Sequence, residues 1–209
     1  MSTPPSPGRG RPRVDNDALL DAAAAVFAEA GYHAATMAAI AARAGSTKPT
    51  LYAHFVGKEA LHRQVLEREA DRCRRWLFER YGAAAGLPLR EQVAFDVRAL
   101  FDYVAEWPTG FRLLFGEANA GPAYPVRAQL TAELADRVAL RLHEFQRGRR
   151  ARPTRIERQL AITLVDVGIS GAQFAVRGET DLERAGLLAV EICMGAITHL
   201  LRLAGTPAG

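Results

Sequence analysis

The chain has 209 residues, close to half of them apolar, which is enough to bury a full core without disulfide or metal staples. Its two cysteines, Cys73 and Cys193, lie far apart with neither metal spacing nor a partner motif, and read as buried, reduced thiols of a cytoplasmic protein. No apolar run follows the first basic residues, as a signal peptide requires, and the longest apolar region, residues 185–204, is interrupted by Glu191, His199 and Arg202, which argues for a buried helix and against a membrane span.

The net charge of +4 is modest but unevenly placed. Residues 1–13 carry Arg9, Arg11 and Arg13 among four prolines and two glycines, without one acid, and read as a flexible basic arm. Asp15 or Asn16 can cap a first helix to about Ala30, with Leu19, Leu20, Ala23, Val26 and Phe27 on one face and Gly31 as its stop. Thr36 caps a second helix, 37–44, ended by Gly45. Ser46 or Thr47 caps a very short third helix, 48–53, whose Pro49 falls in the first turn, where a missing N–H costs little. Gly57 opens a long fourth helix to about Tyr81.

Beyond Gly86 the periodicity predicts longer helices at 89–106, 109–118, 125–147, 154–176 and 182–204, and no run alternates in the manner of a strand. The fold class is therefore all-α. Its expected organisation is an arm at 1–13, a helical module at 14–74 with a helix-turn-helix at about 37–56, and a larger helical domain at 75–209.

Between Glu29 and Glu59 there is no acidic residue, while Arg43, Lys48 and Lys58 fall inside that window, so this surface suits an anion. Leu51 and Phe55, four apart, can pack inwards on Ile40 and Phe27, which turns Lys48, Thr50, Tyr52 and His54 outwards. Phosphates and base edges are what such a set contacts. The short turn at Gly45-Ser46 can hold the second and third helices in a helix-turn-helix.

The run LLDAAAAVFAEAGYHAATMAAIAARAGSTKPTLYAHFVGKEAL, residues 19–61, resembles the DNA-binding module of the TetR family of bacterial transcriptional regulators, with AGY after the first helix, Thr36 before the second, and the TLYxHF and KEAL elements in order. The resemblance implies phosphate contacts from Thr36, Tyr52 and Lys58, and places Lys48, Pro49, Thr50 and His54 in or beside the major groove; Arg43 and Thr47 complete the expected DNA-binding set. Ser46 stands where the family commonly has valine, and Gly57 where it often has a serine or aspartate cap. The Gly8-to-Arg13 stretch is similar to the core of an AT-hook, which lays arginines into a narrow minor groove; a merely solubilising tail is the other reading.

Other functions find less in the sequence. Glu59 and His62 have the spacing of a di-iron helix but no second such pair, and His143-Glu144 begins a zinc-protease motif that Arg147 ends. No metal, cofactor or catalytic set is expected. A helical bundle that binds a metal or ligand without DNA function would explain the helices but neither the arm nor the acid-free window.

The family resemblance also implies an effector pocket and a dimer. Trp76, Phe95, Phe101, Tyr103, Trp107, Phe111, Phe115, Tyr124 and Phe174, with Asp166, Gln173 and Asn119 as polar guesses, are candidates to line a site for a hydrophobic small molecule. The last two helices are apolar on two sides. Leu164, Val167, Gly171 and Phe174 on one, and Ile192, Gly195, Ala196 and His199 on the other, are expected to meet a second copy in a four-helix interface. The partners so expected are an inverted-repeat double-stranded DNA, an identical subunit and an apolar effector, and no membrane.

Overall fold

A computed structural model of the chain describes residues 16–117, 120–147 and 152–205; among them no strand occurs. The helices are α1 (Asn16–Ala34), α2 (Met37–Arg43), α3 (Lys48–His54), α4 (Lys58–Ala83), α5 (Leu89–Glu106), α6 (Pro108–Phe115), α7 (Ala120–Arg147), α8 (Arg155–Val176) and α9 (Leu182–Gly205).

The local chemistry sets most boundaries. Gly31 adopts a left-handed φ of 74°, so α1 breaks there and only one further turn follows, a conformation a residue with Cβ resists. Thr36 caps α2 by accepting the Ala39 amide at 3.1 Å, and Thr47 caps α3 by accepting the Thr50 amide at 3.3 Å. α6 begins one residue earlier than predicted, with Pro108 in its first turn, and ends at Phe115. α7 begins at Ala120, ahead of the predicted start at Pro125. Pro125 forgoes only the bond to the carbonyl of Gly121, an exposed residue near the helix end, so the helix runs through it.

Amphipathic faces then decide the packing. α1 lies against α2, α4 and α6; α4 also contacts α5 and α7; α8 sits between α7 and α9, and α5 closes on α9. One core runs without a break from Leu19, Phe27, Ile40, Leu51 and Phe55 through Val65 and Leu77 of α4 to Tyr103, Phe111, Ile169 and Ala189. A smaller cluster joins Ala135, Ala139 and Leu142 of α7 to Leu164 of α8 and Cys193 and Ile197 of α9. Among the described residues α8 alone has the length and apolar composition of a membrane span, and it is packed between two helices.

The predicted aromatic set welds α4, α5 and α6 together. Trp76 meets Trp107 edge-on at 4.6 Å and donates its indole N–H to the Ala99 carbonyl at 2.8 Å, and Trp107 also packs on Tyr103 at 5.4 Å. Phe111 and Phe115 pair at 5.1 Å and are buried. At the start of α4, Lys58 and His62 are four apart and share a face. The Lys58 ammonium donates to the carbonyls of Tyr32 (2.9 Å), His33 (3.2 Å) and Ala35 (3.0 Å), and lies 4.6 Å from the Tyr32 ring centre. His62 is buried against Phe27 and Tyr32 at 4.5 and 4.8 Å.

This clasp satisfies carbonyls left open where α1 breaks and ties them to the first turn of α4, where Gly57 offers no side-chain cap. Lys58→Met should therefore destabilise the folded chain by about 2 kcal/mol, a drop of roughly 5 °C in melting temperature without DNA. Differential scanning fluorimetry is the check; an unchanged melting temperature would mean that the three carbonyls are as well served by solvent.

Candidate nucleic-acid interface and effector cavity

α2 and α3 are joined by a turn in which Gly45 has φ of 58°, and α3 is held by burying Leu51 and Phe55. That seating leaves Lys48, Pro49, Tyr52 and His54 exposed and Thr50 half-buried. Tyr52 keeps 54% of its surface open. The Thr47 and Thr50 hydroxyls lie 2.8 Å apart, so one donates to the other and the pair fixes their direction at the start of α3. Val56, which sequence reasoning passed over, is 95% exposed just after α3. Its one signal in the sequence is a β-branched apolar residue placed in a turn.

Two of the expected DNA contacts have partners within the protein. The three N–H groups of Lys58 are all directed to the carbonyls at the end of α1, so in this conformation none is available to a phosphate. Arg43 forms a two-pronged pair with Glu29, at 2.9 and 2.7 Å, which lowers the Glu29 pKa through the hydrogen bond from Arg43. Glu29 stands at the edge of the acid-free window and neutralises the arginine inside it. The pair is exposed, and a phosphate can compete for Arg43 at little cost. The Thr36 hydroxyl caps α2 and remains at the surface. Arg9, Arg11 and Arg13 lie outside the described residues, as does Asn119.

The expected pocket lining requires correction. An apolar cavity of about 80 Å³ lies among α4, α5, α7, α8 and α9, lined by aliphatic side chains such as Leu77, Val97, Leu134, Leu164 and Ile197. None of Trp76, Phe95, Tyr103, Trp107, Phe111, Phe115, Asp166 and Phe174 lines it. Trp76, Tyr103, Trp107, Phe111 and Phe115 belong to the packed core, because flat rings fill the narrow space between α4, α5 and α6. Phe95 is exposed, as is Tyr124. Asp166 and Phe174 stand in an open groove between α8 and α9, and Gln173 donates to the Phe115 carbonyl at 2.6 Å.

Polar chemistry enters the cavity at one place. Asp96 of α5 and Arg141 of α7 form an ion pair in its wall, and Arg141 also donates to the Tyr81 carbonyl. Burial raises the Asp96 pKa to about 6, against the opposing pull of Arg141. Beyond the pair lies a larger hollow of about 540 Å³, reaching Arg137, Glu144 and Phe145. Asp96 and Arg141 interrupt otherwise apolar stripes on their helices, and that interruption was the legible signal for them.

The α8–α9 groove, about 590 Å³, brings together Val167, Gly171, Phe174 and Ile192. Gly195 and His199 are exposed on the same helix. Leu164 instead faces inwards, buried in the smaller core cluster with Cys193, and Ala196 packs beside it. Helical period had put Leu164 on the Val167 stripe, but a three-residue step also turns a side chain towards α7. Glu59 and His62 do not converge on a site: Glu59 is exposed and His62 is under Phe27.

Residues 19–65 match the family described as bacterial regulatory proteins, tetR family. The HTH-type transcriptional activator FasR of Mycolicibacterium smegmatis is 28% identical over 185 residues, 87% of this chain and 82% of that one. The HTH-type transcriptional repressor ComR of Escherichia coli is 49% identical over 65 residues, 31% of each chain. The crystal structure of a TetR-like transcriptional regulator from Rhodococcus sp. RHA1 superimposes with a TM-score of 0.73 at 26% identity, covering 94% of this chain and all of that one. With the α2–α3 geometry, these likenesses give residues 19–65 as a tetR-family DNA-binding module and make the chain a transcriptional regulator similar to the TetR-like ones.

Proposed function

We infer that this regulator is a cytoplasmic homodimer that binds an inverted-repeat operator through α3 and is released from it by a hydrophobic small molecule. The observation that carries the reading is the face of α3: Lys48, Pro49, Thr50, Tyr52 and His54 are turned outwards by burial of Leu51 and Phe55, on a stretch without acids. A face of that size and charge suits a major groove, with base edges read by Thr50 and Lys48 and a phosphate met by Tyr52. Arg9, Arg11 and Arg13 would add a minor-groove grip. In this reading residues 14–74 read DNA, residues 75–209 bind effector and partner, and α4 belongs to both.

Dimerisation supports two-fold operator recognition. Phe174, Leu187, Leu188 and Ile192 leave a large apolar face on α8 and α9, each between 47% and 63% exposed in the single chain. A second α8–α9 pair is the symmetric way to cover it. The aliphatic cavity supports an apolar effector, and α4, running from Lys58 past Leu77 in the cavity wall, can carry a change there to α3. FasR is named an activator and ComR a repressor; repression is the reading proposed here because loss of binding needs only a change in the spacing of two α3 helices.

Thr50→Ala should shift base preference within each half-site, and Tyr52→Phe should weaken all sequences alike, by about 1 kcal/mol each, in gel shifts against the protein's own upstream region. Unchanged affinity and preference in both variants would remove α3 from the interface. The double variant Leu188→Glu/Ile192→Glu puts four charges into a symmetric interface while touching only exposed positions, so it should stay helical yet sediment as a monomer and bind the operator at least tenfold more weakly. A variant that remains dimeric in sedimentation velocity places the interface elsewhere.

A further inference from the structure

The ion pair in the cavity wall is unevenly satisfied. Arg141 Nη1 donates to Asp96 Oδ2 and Nη2 to the Tyr81 carbonyl, while Asp96 Oδ1 is buried and accepts no hydrogen bond from the protein. One turn earlier on α5, Gln92 shares this wall but donates to the Leu87 carbonyl at 2.6 Å. Asp96 and Arg141 line both the aliphatic cavity and the neighbouring hollow, so the pair stands at the boundary of the two. A buried carboxylate oxygen without a donor is costly, and the raised Asp96 pKa has the same origin.

We propose that Asp96 determines effector specificity by selecting apolar molecules that carry a neutral hydrogen-bond donor, a hydroxyl above all, which donates to Oδ1 while the hydrocarbon occupies the aliphatic cavity and the hollow that adjoins it. The charges beside the site decide among head groups. A carboxylate meets the Asp96 carboxylate and brings no donor. An ammonium brings donors but lies against the Arg141 guanidinium. A hydroxyl supplies the donor and adds no third charge to a desolvated pair. Arg141 positions Asp96 through Oδ2 and leaves Oδ1 for the ligand. The proposal rests on the effector reading above and names the chemical class that its site takes.

The test uses isomers. Displacement of N-phenyl-1-naphthylamine from the full chain is measured with 1-decanol and methyl nonyl ether, which match in atoms but differ in the donor, and with decanoate and decylammonium. The alcohol should displace the probe at a concentration about tenfold below the ether and below either charged amphiphile. Asp96→Asn keeps an acceptor oxygen and should keep the preference for alcohol over ether. Asp96→Leu should lose it while still binding probe and ether, and Asp96→Leu/Arg141→Met gives the same comparison without an unpaired guanidinium. Equal displacement by alcohol and ether, or a preference that survives in both leucine variants, overturns the role of Asp96 and leaves an apolar effector site standing. Failure of the probe and all four amphiphiles to bind overturns the effector reading together with this one.

Discussion

A single buried carboxylate holds the reading end of this molecule to its body. Glu69, in the middle of α4, is 1% exposed. Its Oε1 accepts from Arg68 Nε and Nη2 at 3.2 and 3.0 Å, and its Oε2 accepts from Arg72 Nη1 at 2.6 Å. Arg68 reaches on to α1, pairing with Asp21 at 2.8 Å and donating to the Asp17 carbonyl. From the other side α6 comes so close that a Cβ at Gly110 would lie 2.6 Å from Oε2. Both direct partners lie on α4 itself; Arg68 reaching α1 and the close packing of α6 at Gly110 are what commit the three helices to one arrangement. The hydrophobic core, continuous from Phe27 to Phe111, makes the same demand in a less directional way.

From that junction the two ends follow. α1, pinned at Arg68 and again at the Lys58 clasp, carries α2 and with it α3, so the outward face of Thr50 and Tyr52 is aimed by contacts well away from it. On the other side, Trp107 lies 5.9 Å from the Arg72 guanidinium and joins the aromatic weld to α5, the helix that bears Asp96. The aliphatic cavity and α3 are thus linked through packed side chains and two paired arginines.

Much of this was legible in the sequence, for physical reasons that differ by region. Caps and stops act locally, so Thr36, Thr47, Gly31 and Gly45 mark their helix ends in any context, and the ordered motif of residues 19–61 was dense with such signals. The alternation of Leu51 and Phe55 with Thr50 and Tyr52 is also local, and it gave the outward face of α3. Partners distant in sequence were not legible. Nothing near Lys58 announces that the carbonyls of Tyr32, His33 and Ala35 will claim its ammonium, and Glu29 sits 14 residues from Arg43. The aromatic residues misled because rings are suited equally to lining a pocket and to filling a core; only the spacing of α4, α5 and α6 decides, and it favours the core. The lining of the aliphatic cavity looks like any buried helix face, apart from Asp96 and Arg141 within it.

The coupling is mechanical: the reading helices and the body open together because they share the Arg68–Glu69 junction and one core. Native-state hydrogen exchange followed by mass spectrometry measures it directly, through the opening free energies of amides in α1, α4 and α6 of the full chain without DNA or effector. The interior amides of the three helices should exchange with the same opening free energy, close to that of global unfolding. If α1 opens several kcal/mol more readily than α4 and α6, the reading module is an independent unit on a hinge, and the coupling through Glu69 is contradicted.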